Sequence, residues 1–123
     1  MARILVVCED DAFIHWRLKT TLCAQGHDVI ETACLDEAIS HLIISSPDLV
    51  LLDLYLSDRL LVENIILLRQ VQPRVKILVV IDAVIAKNAA ARFANAATTL
   101  ELLPRPFGAE EFLERVERLL NAL

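Results

Sequence analysis

The chain of 123 residues carries 12 Lys and Arg residues against 17 Asp and Glu residues, which gives a net charge of -5, and 56% of its residues are hydrophobic. This length is sufficient for one self-sufficient core, and the acidic balance without a basic cluster argues against binding to nucleic-acid phosphates. Every apolar run is too short for a signal peptide or a transmembrane helix. We therefore expect a cytoplasmic protein that binds neither nucleic acid nor membrane.

Short apolar runs alternate with longer amphipathic stretches five times along the chain. Alternation of this kind implies a parallel sheet with right-handed crossovers and helices on both faces. The predicted fold is a single doubly wound, flavodoxin-like α/β domain with a five-stranded parallel sheet. The predicted strands are 4–8, 29–32, 49–52, 77–81 and 99–103, and the predicted helices are 11–26, 35–45, 60–71, 83–97 and 109–120.

Acidic residues follow three of the predicted strands. Glu9, Asp10 and Asp11 come after the first strand, Asp53 ends the third, and Asp82 ends the fourth. Ligands of open parallel sheets bind at the carboxyl ends of the strands, where two carboxylates about 5 Å apart repel by roughly 3 kcal/mol at an effective dielectric of about 20. A Mg²⁺ ion is the simplest compensation. The alternative is a set of solvated loop acids with a helix cap, which we favour for Asp11 alone.

Three segments of the sequence resemble the signature segments of the receiver domain of bacterial response regulators, the CheY-like family. They are residues 4–11 (ILVVCEDD), 47–54 (PDLVLLDL) and 105–107 (RPF), and the resemblance spans essentially the whole chain. It implies that residues 1–123 are one receiver domain without an output domain. It further implies that Asp53 accepts a phosphoryl group from a histidine kinase and that Mg²⁺ is bound by Glu9, Asp10, Asp53 and the backbone of Tyr55.

The sequence departs from the family's pattern at several positions, three of which belong to the predicted site or its switch. The family's Lys-Pro pair is replaced by Arg105-Pro106, where the resemblance implies a cis peptide bond and where Arg is not a conservative replacement for Lys. The Ser or Thr that contacts the phosphoryl group is replaced by Asp82, which is followed by the expected small Ala83; a carboxylate donates no hydrogen bond unless it is protonated. Leu102 replaces the aromatic residue that switches rotamer.

Three interpretations of Asp82 stay open at this point. Its carboxylate disables phosphorylation, or it mimics a phosphoryl group and pairs with Arg105, or it is a solvated acid without a role in the site. The resemblance assigns Asp82, Ala83, Arg105 and Leu102 together to phosphoryl contact and to the conformational switch. Under the first two interpretations this switch differs from that of the family.

The predicted function is that of a single-domain signalling protein in a two-component or phosphorelay system. Its only chemistry would be self-catalysed phosphoryl transfer and autodephosphorylation at Asp53, and it would act through protein partners. The partners are a histidine kinase or phosphotransfer protein, a downstream protein, and a second copy bound through the face of residues 84–120 if Val84 and Ile85 are exposed. The alternative is a degenerate pseudo-receiver that binds proteins independently of phosphorylation.

Two enzyme classes of related topology are disfavoured. A phosphatase with an aspartyl intermediate requires a second acid two residues after its nucleophile, and Asp53 is followed by Leu54 and Tyr55. A dinucleotide-binding domain requires a glycine-rich loop, which the two glycines of the chain, Gly26 and Gly108, cannot supply.

Overall fold

Strands and helices alternate along the chain in the computed structural model, which describes residues 2–8, 12–53, 58–89 and 99–122. The strands are β1 (Arg3–Cys8), β2 (Asp28–Thr32), β3 (Leu49–Asp53), β4 (Ile77–Asp82) and β5 (Leu100–Arg105). The helices are α1 (Ala12–Ala24), α2 (Leu35–Ser45), α3 (Asp58–Val71), α4 (Ala83–Ala89) and α5 (Ala109–Leu120). Of the helix predicted over 83–97, the part beyond Ala89 lies outside the described residues, as does Asp11, the predicted cap of the first helix.

The five strands form one parallel sheet in the order β2-β1-β3-β4-β5. The chain moves outward from β1 to β2 and then crosses back to β3, so the strand order reverses between β1 and β3. The prediction of a doubly wound α/β fold is confirmed. In such sheets the reversal creates a crevice at the carboxyl ends of the strands.

Helices cover both faces of the sheet because the central strands are apolar on both sides. Successive side chains of a strand point to opposite faces, and the buried residues accordingly fall into two clusters. The cluster under α2, α3 and α4 includes Ala38, Leu42, Ile65, Leu68 and Ala86. The cluster under α1 and α5 includes Leu18, Leu22, Phe112, Val116 and Leu119.

Backbone geometry explains where two of the helices end. After α1, Gly26 adopts a φ of 86°, a left-handed conformation that glycine tolerates without steric cost. After α2, Ser46 adopts a φ of 45° and its N–H donates to the carbonyl of Leu42 at 3.3 Å, as in a left-handed helix C-cap. No helix in the described part of the chain has the length and apolar character needed to cross a membrane.

Candidate functional site

Asp53 is the last residue of β3, the central strand, and is 1% exposed. It lies opposite Cys8 of β1 and Val80 of β4 in the sheet, and the alternation along β3 directs its side chain to the face covered by α1 and α5. Among the side chains that the structure describes, it is the only buried charged one. A carboxylate removed from water in this way requires a positive charge or strong hydrogen-bond donors.

Arg105 supplies positive charge to this buried carboxylate. Its Nη2 forms an ion pair with Oδ1 of Asp53, although the two residues belong to strands separated by β4. Strands are spaced about 4.8 Å apart, so β3 and β5 are separated by about 10 Å, a distance that the Arg105 and Asp53 side chains span together. Arg105 ends β5 two residues after Leu103 and is therefore on the same face of the sheet as Asp53.

Sequence reasoning did not anticipate that a cysteine thiol lies beside the same carboxylate. The Sγ of Cys8 is 3.8 Å from Oδ2 of Asp53, and Cys8 is buried and forms no disulfide with the other two cysteines. A thiol is a weak donor, so this contact is secondary to the ion pair. The alternation of side chains along β1 could have predicted this contact. It places Cys8 on the face covered by α1 and α5, and parallel pairing of β1 with β3 places Cys8 next to Asp53.

The carboxylate of Asp82 forms a hydrogen bond with the backbone of the helix that follows it. Its Oδ1 accepts a hydrogen bond from the backbone N–H of Val84 at 2.9 Å, and the residue is exposed. This is the side-chain-to-backbone bond that caps the first turn of a helix, here α4, whose first residue is the exposed Ala83. Asp82 and Arg105 are register partners, yet Arg105 binds Asp53. The contacts described for Asp82 and Arg105 therefore do not support the interpretation in which these two residues pair.

The remaining predicted switch position, Leu102, lies on β5, and the predicted cis-proline, Pro106, directly follows that strand. Leu102 is half-buried against the cluster under α2, α3 and α4, and its carbonyl accepts a hydrogen bond from Nη1 of Arg115 at 3.0 Å. The Arg105–Pro106 peptide bond is cis, the isomer that the resemblance implied. Phe107 continues from this bond towards α5, where its ring centroid is 5.8 Å from that of Phe112.

Of the predicted Mg²⁺ ligands, the structure describes Asp53. Glu9, Asp10 and Tyr55 lie outside the described residues. Within the described ranges no three His, Cys, Asp or Glu side chains come together in a way that could hold a metal ion. The carboxylate of Asp53 is a donor of the type that Mg²⁺ prefers. Cys8, which precedes Glu9 in the sequence, is the register partner of Asp53.

Receiver domains are among the solved structures that this chain resembles. The non-phosphorylated receiver domain of HemR from Leptospira biflexa is 27% identical with a TM-score of 0.81, over 100% of this chain and 97% of that one. A CheY-like response regulator receiver protein from Methanospirillum hungatei JF-1 is 23% identical with a TM-score of 0.80, over 98% and 94%. The receiver domain of a sensor histidine kinase from Pseudomonas aeruginosa PAO1, with a magnesium ion in its active-site cleft, is 21% identical with a TM-score of 0.74, over 98% of each chain.

These likenesses define the class of fold: the chain has the fold of response regulator receiver domains, and the resemblance inferred from the sequence is confirmed. No protein-family model and no protein of curated function matches the sequence.

Proposed function

We propose that this protein is a receiver of a two-component or phosphorelay system that accepts a phosphoryl group on Asp53. The observation that supports the proposal best is the buried Asp53 carboxylate at the carboxyl end of the central strand, in contact with the Arg105 guanidinium. A buried ion pair is often no more stabilising than apolar residues of the same volume. A chemical role for Asp53 therefore explains the pair better than stability does.

The proposed step is a displacement at phosphorus. An oxygen of the Asp53 carboxylate attacks the phosphoryl group of the donor, an O–P bond forms, and the bond from phosphorus to the leaving nitrogen or oxygen breaks. The leaving group takes the bonding electron pair and a proton from solvent. Arg105 is already in contact with the nucleophile, so its N–H groups are positioned to bind the phosphoryl oxygens that arrive there.

The proposed site also includes Mg²⁺. Glu9, Asp10, Asp53 and the backbone of Tyr55 would hold the ion, which when bound supplies positive charge for the phosphoryl oxygens. The donor chemistry of these groups fits Mg²⁺, and a receiver domain with the same fold has a magnesium ion in its active-site cleft. The ion and the Arg105 guanidinium would then share the charge of the same carboxylate.

One observation favours a second candidate, a receiver-like module that binds proteins independently of phosphorylation. Asp82 stands where the family has a hydroxyl group, and its carboxylate already caps α4. A carboxylate at this end of the sheet repels an incoming phosphoryl group. In this alternative the Arg105–Asp53 pair is a fixed structural contact.

Both candidates act through partners rather than by turning over a substrate. A histidine kinase or phosphotransfer protein would supply the phosphoryl group, and a downstream protein would bind the result. A second copy is a further proposed partner through the face of residues 84–120. There Val84 is 70% exposed, whereas Ile85 packs against the core. A sedimentation experiment that finds only monomer at tens of micromolar would remove the homodimer from the proposal.

Mass spectrometry of the intact protein separates the two candidates. The protein is incubated with Mg²⁺ and acetyl phosphate, alongside an ordinary receiver domain as positive control. The phosphoacceptor proposal expects a phosphoryl mass increment that Asp53→Asn abolishes and that Asp36→Asn, a change to an exposed acid on α2, leaves intact. Absence of the increment under conditions that label the positive control would overturn the proposal and favour the interaction module.

A further inference from the structure

A cavity between α1 and α5 lies next to the loop that follows β5. It has a volume of about 210 Å³. Its apolar lining comes from Leu18 on α1, from Pro106 and Phe107 in the loop, and from Phe112 on α5, and two arginines, Arg17 and Arg105, also line it. Of these lining residues, the chemistry proposed for Asp53 uses only Arg105.

The apolar walls of the cavity are well ordered by packing. Leu18 is 4% exposed and Phe112 is 1% exposed, and the Phe112 ring is tilted against the Phe107 ring at an interplanar angle of 31°. Walls of this kind keep their shape when a ligand enters. An apolar cavity of about 150 Å³ in another protein binds benzene, so the volume here suits one ring with a short substituent.

The two arginines in the lining favour a negatively charged ligand. Arg17 is exposed, and no carboxylate in the described part of the chain forms an ion pair with it. Arg105 brings a second guanidinium, which is engaged by Asp53. Among the described residues, the Arg17 side of the cavity therefore has positive charge without an ion-paired carboxylate. A guanidinium binds a carboxylate through strong, directional hydrogen bonds.

We propose that this cavity binds a small organic carboxylate with a single aromatic or branched apolar group. The apolar group lies between Leu18, Phe107 and Phe112, and the carboxylate reaches the Arg17 guanidinium. Ligand sites commonly combine apolar walls with a few polar groups that fix orientation. The proposal holds whether or not Asp53 is phosphorylated.

An NMR titration of the full chain with phenylacetate tests the proposal, with phenylacetamide as a neutral ligand of the same shape. We expect saturable shifts confined to the signals around Leu18, Phe107 and Phe112. A charge-assisted hydrogen bond is worth at least about 1.5 kcal/mol, so phenylacetate should bind about tenfold more tightly than phenylacetamide.

Two arginine variants test whether the ligand carboxylate binds the Arg17 guanidinium. Arg17→Gln should weaken phenylacetate binding about tenfold and leave phenylacetamide binding unchanged. Arg74→Gln, which removes an exposed arginine outside the cavity lining, should change neither. The proposal is overturned if phenylacetate gives no saturable shifts, if acid and amide bind equally, or if Arg17→Gln leaves phenylacetate binding unchanged.

Discussion

The contact between Arg105 and Asp53 makes a sharp prediction about stability. Replacement of Arg105 by Met keeps most of the volume of the side chain and removes its charge. The Asp53 side chain is 2% exposed and that of Arg105 is 21% exposed. The variant therefore leaves a buried carboxylate without the cation that contacts Oδ1.

The size of the effect follows from burial. Removal of one partner of a fully buried ion pair costs about 3–5 kcal/mol. Because a fifth of the Arg105 side chain is in water and the Cys8 thiol still contacts the carboxylate, we expect a cost somewhat below this range, about 2–3 kcal/mol. That is a large fraction of the roughly 5–15 kcal/mol by which a domain is stable. With a urea m-value of about 1–3 kcal/mol per molar, the unfolding midpoint should fall by about 0.7–3 M.

Urea denaturation in a chelating buffer without Mg²⁺ provides the assay, and Asp53→Asn provides the control background. In that background Arg105→Met should cost less than about 1 kcal/mol, because no buried charge is left behind. The difference between the two backgrounds is the coupling energy of the pair. Equal costs in both backgrounds would refute the argument and show that Arg105 acts through the packing of its carbon chain.

Three further predictions concern other parts of the fold. Asp82→Ala should lower the unfolding free energy by about 0.5–2 kcal/mol, because it removes the acceptor for the Val84 N–H. Asp82→Asn should retain most of this stability, and equal losses for both variants in urea denaturation would contradict the capping role. Gly26→Ala should cost about 1–2 kcal/mol although the space around it is open, since a φ of 86° is strained for any L side chain, and an unchanged melting temperature would contradict this. The hydrogen bond and charge of Glu31 raise the pKa of Lys19 above its ordinary 10.5, so the pair's contribution is complete below pH 10.5 and is lost as the pH rises through the raised pKa. In Glu31→Gln the NMR titration midpoint of Lys19 should fall, and an unchanged midpoint would contradict the pairing.

Much of the fold could be predicted from the sequence because burial imposes a regular spacing on the apolar residues of strands and helices. The continuous apolar runs of β3 and β4 require cover on both faces, and the spacing of Phe112, Val116 and Leu119 matches one side of a helix. The predicted bounds of α2 and α5, 35–45 and 109–120, are those observed. The other bounds that lie within the described residues differ by at most two residues, as for β5, because strand ends depend on hydrogen bonds to neighbouring strands.

The sequence by itself determined that Asp53 ends the central strand and that the positively charged Arg105 follows the last predicted strand. Only the tertiary structure decided which carboxylate receives that charge. Asp82 and Arg105 are neighbours in register, and their charges suggested a pair. A backbone N–H of the next helix binds the exposed Asp82, whereas the buried Asp53 depends on the guanidinium. The deciding quantity is desolvation, which a sequence does not display because it arises only when strands and helices close over a side chain.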